Sequence, residues 1–167
     1  MFQCLTVLFT ACQSGWRSFN GYCYKFVSEK KSWQASENYC SNIAPANTKG
    51  YLASIGDNAT NMFLSRMTNG KQAWVGGQQD NENQWSWTDG RNWNFSSWAT
   101  NQPNNGGGDQ KYISTNFRED GKWNDNNGNS VRQFLCQYST GTTILIYTKC
   151  CSQTSMINYG KYILSIM

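Results

Sequence analysis

Two stretches of this chain are crowded with hard oxygen donors. Gln102-Pro103-Asn104-Asn105 runs through a glycine triplet to Asp109, and Asn124-Asp125 follows Trp123. Calcium takes about six to eight oxygen ligands, and clustered carboxylates and amides supply them. Each residue also has an ordinary structural use. Gln102 and Asn104 could be turn residues around a proline. Asn124 and Asp125 could cap a β-turn beside a core Trp123, and Asp109 could be a solvated loop acid. Other chemistry is excluded by composition. The 167 residues include no His, which removes His-based triads, His zinc sites and most general acid–base designs. The loop acids therefore read as ligands, and the chain does not read as an enzyme.

Charge and cysteine content narrow the setting. Net charge is +4, and Lys149 and Lys161 near the C-terminus account for two of these. No Lys/Arg run exists, so no nucleic-acid partner is expected. The seven cysteines, Cys4, Cys12, Cys23, Cys40, Cys136, Cys150 and Cys151, form no C-x-x-C pair. Disulfides in an oxidising compartment are the better reading. The four in the central segment leave three connectivities open. Sequons at Asn58 and Asn94 permit N-glycosylation, which suits secretion. No stretch approaches the ~18–20 apolar residues of a membrane span.

The elements that must position these donors follow from patterning. Only 14% of residues are charged, whereas 8 Trp, 9 Tyr and 8 Phe are present, so the core is built from rings. Tyr22, Tyr24 and Phe26 alternate with Cys23 and Lys25 as a half-buried strand. Ser32 opens a helix to Asn42, with Trp33, Tyr39, Cys40 and Ile43 on one face. Asp57 or Asn58 caps a second helix ending at Met67, with Phe63, Arg66 and Met67 on the face of Ala59. Trp74–Gly77 reads as a short buried strand. The polar stretch 78–110 is long enough that it is functional or held by something other than apolar contacts. Strands return at Tyr112–Thr115, around Trp123 and at Phe134–Tyr138. Helices first and a sheet after describe an α+β domain. Three segments are expected: residues 1–11, which resemble the apolar core and exit of a signal peptide; a domain over 12–138; and a C-terminal tail, 139–167. A bond from Cys150 or Cys151 to another chain would give a covalent homo-oligomer.

From Cys12 to about Tyr138 the chain resembles the C-type lectin-like domain. The opening C-x3-W-x2-F-x3-C-Y-x-F, Cys40, WVGG at 74–77, WSWTDG at 85–90, Gln102-Pro103-Asn104, Lys122-Trp123-Asn124-Asp125 and Phe134-Leu135-Cys136 carry this resemblance by their order. It implies two helices with small antiparallel sheets and a long calcium-binding loop. It also implies bridges Cys12–Cys23 and Cys40–Cys136. A third bridge usual in the family is missing, with Lys111 and about Gly128 at its places, so a looser loop base is expected.

The resemblance also assigns the site. Gln102, Asn104, Asp109, Asn124 and Asp125 match positions that coordinate calcium and carbohydrate together, with Pro103 in the cis form. Only Asp109 and Asp125 bring charge, so calcium binding is expected to be weak. Asp80 and Glu82 match two acids of an auxiliary site, but Asn105 and Gln110 replace others there, and no second ion is expected. Residues 105–108 offer no ring for stacking on galactose, and Trp85, Trp87, Trp98 and Trp123 read as core or loop anchors. A secreted calcium-dependent lectin is the resulting expectation. The alternative is a lectin-like domain that binds protein or another surface.

Overall fold

The computed structural model describes residues 12–140. The signal-peptide-like segment, Cys4, Cys150, Cys151 and all of the tail beyond Thr140 lie outside the described residues.

Two helices and eight short strands make the α+β domain expected from the sequence. They are β1 (Arg17–Phe19), β2 (Tyr22–Lys31), α1 (Trp33–Ile43), β3 (Gly50–Leu52), α2 (Asn58–Met67), β4 (Ala73–Gln79), β5 (Trp85–Trp87), β6 (Tyr112–Thr115), β7 (Asn124–Asn126) and β8 (Arg132–Ser139). The strands join in one continuous sheet, in the order β1-β2-β8-β4-β6-β7, with β3 on β8 and β5 on β4. All pairs are antiparallel except β4 with β8, where Ala73 faces Gln133 and Trp74 faces Phe134. The β2–β8 ladder brings Tyr22 opposite Ser139, closing the two ends of the domain on each other.

Local chemistry sets the helix starts. The Ser32 hydroxyl accepts from the Ala35 N–H, and the Asp57 carboxylate accepts from the Thr60 N–H. Each satisfies a donor that the first helical turn leaves unpaired. The face of α2 differs from the sequence expectation. Thr60, Asn61, Leu64 and Ser65 are buried, while Ala59 and Arg66 are exposed. The cause is polar. Asn61 donates to the Gly121 carbonyl (2.8 Å) and accepts from Trp123 Nε1 (2.9 Å), turning that face inward.

β2 also differs, because it is covered on both sides. Cys23 and Val27 enter one core cluster, with Trp33, Leu52, Trp74 and Phe134. Tyr24 enters the other, with Ile55, Val75, Trp87, Trp123 and Leu135, while Tyr22 and Phe26 are half-buried at its margin. Disulfides Cys12–Cys23 and Cys40–Cys136 staple the first cluster. The second joins residues 96 apart in sequence. Cross-linking over such a loop stabilises by about 4–5 kcal/mol in the chain-entropy account.

Candidate functional site

Trp123 is the pivot from which the long loop is built. It is fully buried, and the rings of Trp87, Trp93, Phe95 and Trp98 stand edge-on around it with centroids 5.7–5.9 Å away. Its backbone N–H donates to Ser97 O, and its carbonyl accepts from Ala99 N. Gln102 N then donates to Ala99 O at 3.0 Å. Both halves of the donor set, 102–109 and 124–125, thus hang from one tryptophan. Trp93 and Phe95 were not among the rings singled out in the sequence, since no periodic pattern marks a residue in a loop.

Below this cluster, Asp89 of the WSWTDG stretch locks the loop to the sheet. Its carboxylate pairs with Arg91 Nε at 2.9 Å and accepts from Gln137 Nε2 at 2.6 Å. Burial acts to lower the Arg91 pKa, and the hydrogen bond and charge of Asp89 more than offset it, so the guanidinium stays charged. The guanidinium also lies over the Tyr22 ring, 4.0 Å from its centroid.

The loop backbone itself explains the abundance of Asn. Asn101, Asn105 and Asp109 hold positive φ of 63°, 47° and 59°. Asn and Asp enter this left-handed region more readily than other side chains. The Gln102–Pro103 peptide is cis, as the resemblance implies.

The five proposed ligands fall in unequal environments. Asp125 is 1% exposed. Its carboxylate accepts from Asn104 N at 3.2 Å and from Asn105 N at 2.6 Å, which ties the proline turn to β7. Asn124 is buried, and its Nδ2 donates to the Asp125 carbonyl at 2.6 Å. Asn104 is exposed and its Oδ1 accepts from Gly106 N at 2.8 Å. Gln102 is half-buried, yet its Oε1 is sealed from solvent and has no hydrogen-bond partner. Asp109 is exposed, its carboxylate accepting from Asn127 Nδ2 at 3.4 Å.

The donor set is made only of hard oxygens, which suits calcium rather than a softer metal. A buried carbonyl without a donor, as at Gln102, is costly unless something else meets it. No group of three or more His, Cys, Asp or Glu converges among the described residues. A calcium ion held here would have to take amide oxygens in place of the missing carboxylates.

Several contributors escaped sequence reasoning. Asn105 closes the loop twice, through its N–H on Asp125 and through its Oδ1, which accepts from Gln110 N. Asn126 links β7 to Ser114 and to Arg132. In so Asn-rich a sequence, nothing in composition separates these from turn residues. At the matched auxiliary positions, Asp80 Oδ1 closes its own turn onto Glu82 N and Gln84 N. Lys111, at one place of the missing bridge, donates from Nζ to Asn81 Oδ1 at 3.0 Å. The loop base, expected to be loose without a third bridge, is held by packing. The Tyr112 ring packs at a tilt against Trp33, with centroids 4.4 Å apart, and Trp33 N donates to Gly128 O. The Tyr112 ring lies so close over Gly128 that a Cβ there would come 2.6 Å from it. Both sequon asparagines, Asn58 and Asn94, are exposed.

The comparisons with known proteins agree with this architecture. The family model described as "Lectin C-type domain" matches residues 29–138. A lectin from Pleurodeles waltl is 36% identical over 136 residues, covering 77% of this chain and 77% of that protein. Among solved structures, the C-type lectin CEL-I from Cucumaria echinata matches with a TM-score of 0.72 at 24% identity, over 77% of this chain and 98% of that one. A calcium-independent type II antifreeze protein matches with a TM-score of 0.69 at 22% identity, over 77% and 95%. Likeness at these identities shows a shared fold.

Proposed function

The chain belongs to the C-type lectin domain family, and from that premise we propose that it is a calcium-dependent carbohydrate-binding protein working outside the cell. Its relatives are lectins, a family of binding proteins rather than enzymes. The observation that carries the reading is Gln102 Oε1, a buried acceptor left without a partner beside the cis proline. Gln102, Asn104, Asp109, Asn124 and Asp125 would hold the ion. When bound, calcium supplies a Lewis-acidic anchor for two neighbouring sugar hydroxyls. The two disulfides and the exposed sequons at Asn58 and Asn94 support an extracellular setting.

The chain's own residues set the selectivity. A carboxylate beside the ion accepts from a sugar hydroxyl, whereas an amide whose carbonyl serves the ion presents only an NH2 donor. Gln102 and Asn104 are both amides, so the proline turn offers two donors and no acceptor. In the family resemblance, a Glu-Pro-Asn turn goes with mannose-type sugars and Gln-Pro-Asp with galactose-type. This turn satisfies neither pattern, and one lost hydrogen bond in a desolvated site costs about 1–3 kcal/mol. Weak monosaccharide binding with little discrimination follows, and clustering of copies would raise avidity.

A second reading, a lectin-like domain without useful sugar affinity, is favoured by the internal satisfaction of two ligands. The Asp125 carboxylate and Asn104 Oδ1 already accept backbone N–H groups. The fold is also shared with a protein described as calcium-independent. A glycan array run with calcium and with chelator tests the two. Chelator-sensitive glycan binding is the expected result. Binding that is absent, or indifferent to chelator, would favour the second reading.

A further inference from the structure

A basic cleft lies on the sheet away from the proline turn. Its volume is about 370 Å³, and it is lined by Lys30 at the end of β2, Lys71 and Gln72 before β4, and Val131, Arg132 and Gln133 at the start of β8. Three of the six lining residues are cations and none is an acid. Among the described residues, the ion pairs are Lys31 with Glu29 and Arg91 with Asp89, so the three cleft cations have no carboxylate partner.

Arg132 is held in place by neutral groups. One terminal nitrogen donates to Gln72 Oε1 at 2.8 Å and the other to Asn126 Oδ1 at 2.6 Å. The guanidinium lies 5.1 Å from the Trp74 ring centroid. Burial alone lowers its pKa, since no anion offsets the desolvation. A guanidinium carries five N–H donors. Two are spent on amides, and each terminal nitrogen keeps a second N–H. Val131 on the rim is 62% exposed, the large hydrophobic residue that stands out on this surface.

We propose that this cleft binds an oxyanion, a sulfate or phosphate monoester, carried on a glycan. Tetrahedral oxyanions accept several N–H donors at once, and a fixed guanidinium with two exposed lysines lining the same cleft provides them. An apolar contact such as Val131 suits a sugar ring attached to the ester. The glycan part of the assignment rests on the lectin reading. The oxyanion part rests on the cleft alone, because none of its residues belongs to the calcium set.

The test is isothermal titration of the full chain in chelator, with a sulfated disaccharide, its desulfated counterpart, inorganic sulfate and inorganic phosphate. The sulfated sugar should bind without calcium, and its desulfated counterpart should not. Inorganic sulfate and phosphate should bind at least about tenfold more weakly than the sulfated sugar. Lys30→Gln combined with Lys71→Gln, both exposed positions, should weaken binding about tenfold or more while leaving the melting temperature in place. Equal binding of the desulfated sugar, or unchanged binding by the double variant, would overturn the cleft assignment. Inorganic sulfate binding as tightly as the sulfated sugar would overturn the glycan assignment. Neutral-sugar binding in calcium, measured alongside, reports on the proline turn alone. Its failure would count against the proposed function and leave the cleft standing.

Discussion

The two halves of this domain are held together by different physics. Around Cys40–Cys136 the structure is dry, with Trp33, Leu52, Trp74 and Phe134 each no more than 2% exposed. Burial of apolar surface and a covalent link dominate there. Around the long loop the ring cluster of Trp123 is interleaved with buried polar residues. Asn61, Asn116, Asn124, Asp125 and Asn126 are each at least 92% buried, and each is hydrogen-bonded through its side chain. A typical hydrogen bond contributes only about 0.5–1.5 kcal/mol net, but it is directional. The first half supplies stability that tolerates a change of neighbours. The second spends little stabilisation per contact and fixes oxygens in space, which a site for an ion and hydroxyls requires.

The largest effect should come from the dry half. Cys40→Ala with Cys136→Ala should cost about 4–5 kcal/mol, read as a large fall in melting temperature. Mass mapping of the non-reduced protein should find Cys12 joined to Cys23 and Cys40 to Cys136. A peptide linking Cys23 to Cys40 would contradict the fold.

In the polar half, Asn61→Leu keeps the volume near constant and removes both partners. It leaves Trp123 Nε1–H and the Gly121 carbonyl buried and unpaired, at a cost of about 1–3 kcal/mol. Because Trp123 carries the loop, glycan binding should fall with it. A variant as stable as the parent would show that the loop is held by rings and not by this amide.

Gln102→Glu should add an acceptor and a third charge. Calcium affinity and preference for mannose-type sugars should both rise, as measured by titration with each sugar. Tight, selective binding by the parent, unimproved in the variant, would show that donor count is not what limits the site.

The smallest effect is calcium on the parent itself. At free calcium equal to the dissociation constant, stabilisation is only about 0.4 kcal/mol, a rise of one or two degrees at this size, roughly. Asp125→Ala should abolish the rise. It should also lower the starting stability, since Asn104 N and Asn105 N lose their acceptor.

The dry half was the more legible in sequence. Ser32 marks the first helix start, the Asp57–Asn58 step marks the second, where Asp57 is the cap, and Tyr112–Thr115 is β6 to the residue. β1, β3 and β5, three residues each, are too short to carry a period. The inward face of α2 was missed because periodicity weighs Asn61 as polar surface, whereas tertiary hydrogen bonds bury it. In the loop half, motif order pointed to five donors. It could not show that Asp109 turns to Asn127 or that Asn105 shares the capping of Asp125. Those depend on which asparagines take positive φ, and hydropathy carries no record of that.

The central claim is that Gln102 Oε1 is kept free for an ion, and Gln102→Met addresses it most directly. Calcium titration of the parent and variant, with melting curves for both in chelator, is the measurement. The account predicts that the variant loses calcium binding and yet melts no lower than the parent, because the removed oxygen has no protein partner to lose. Unchanged calcium affinity in the variant would contradict it.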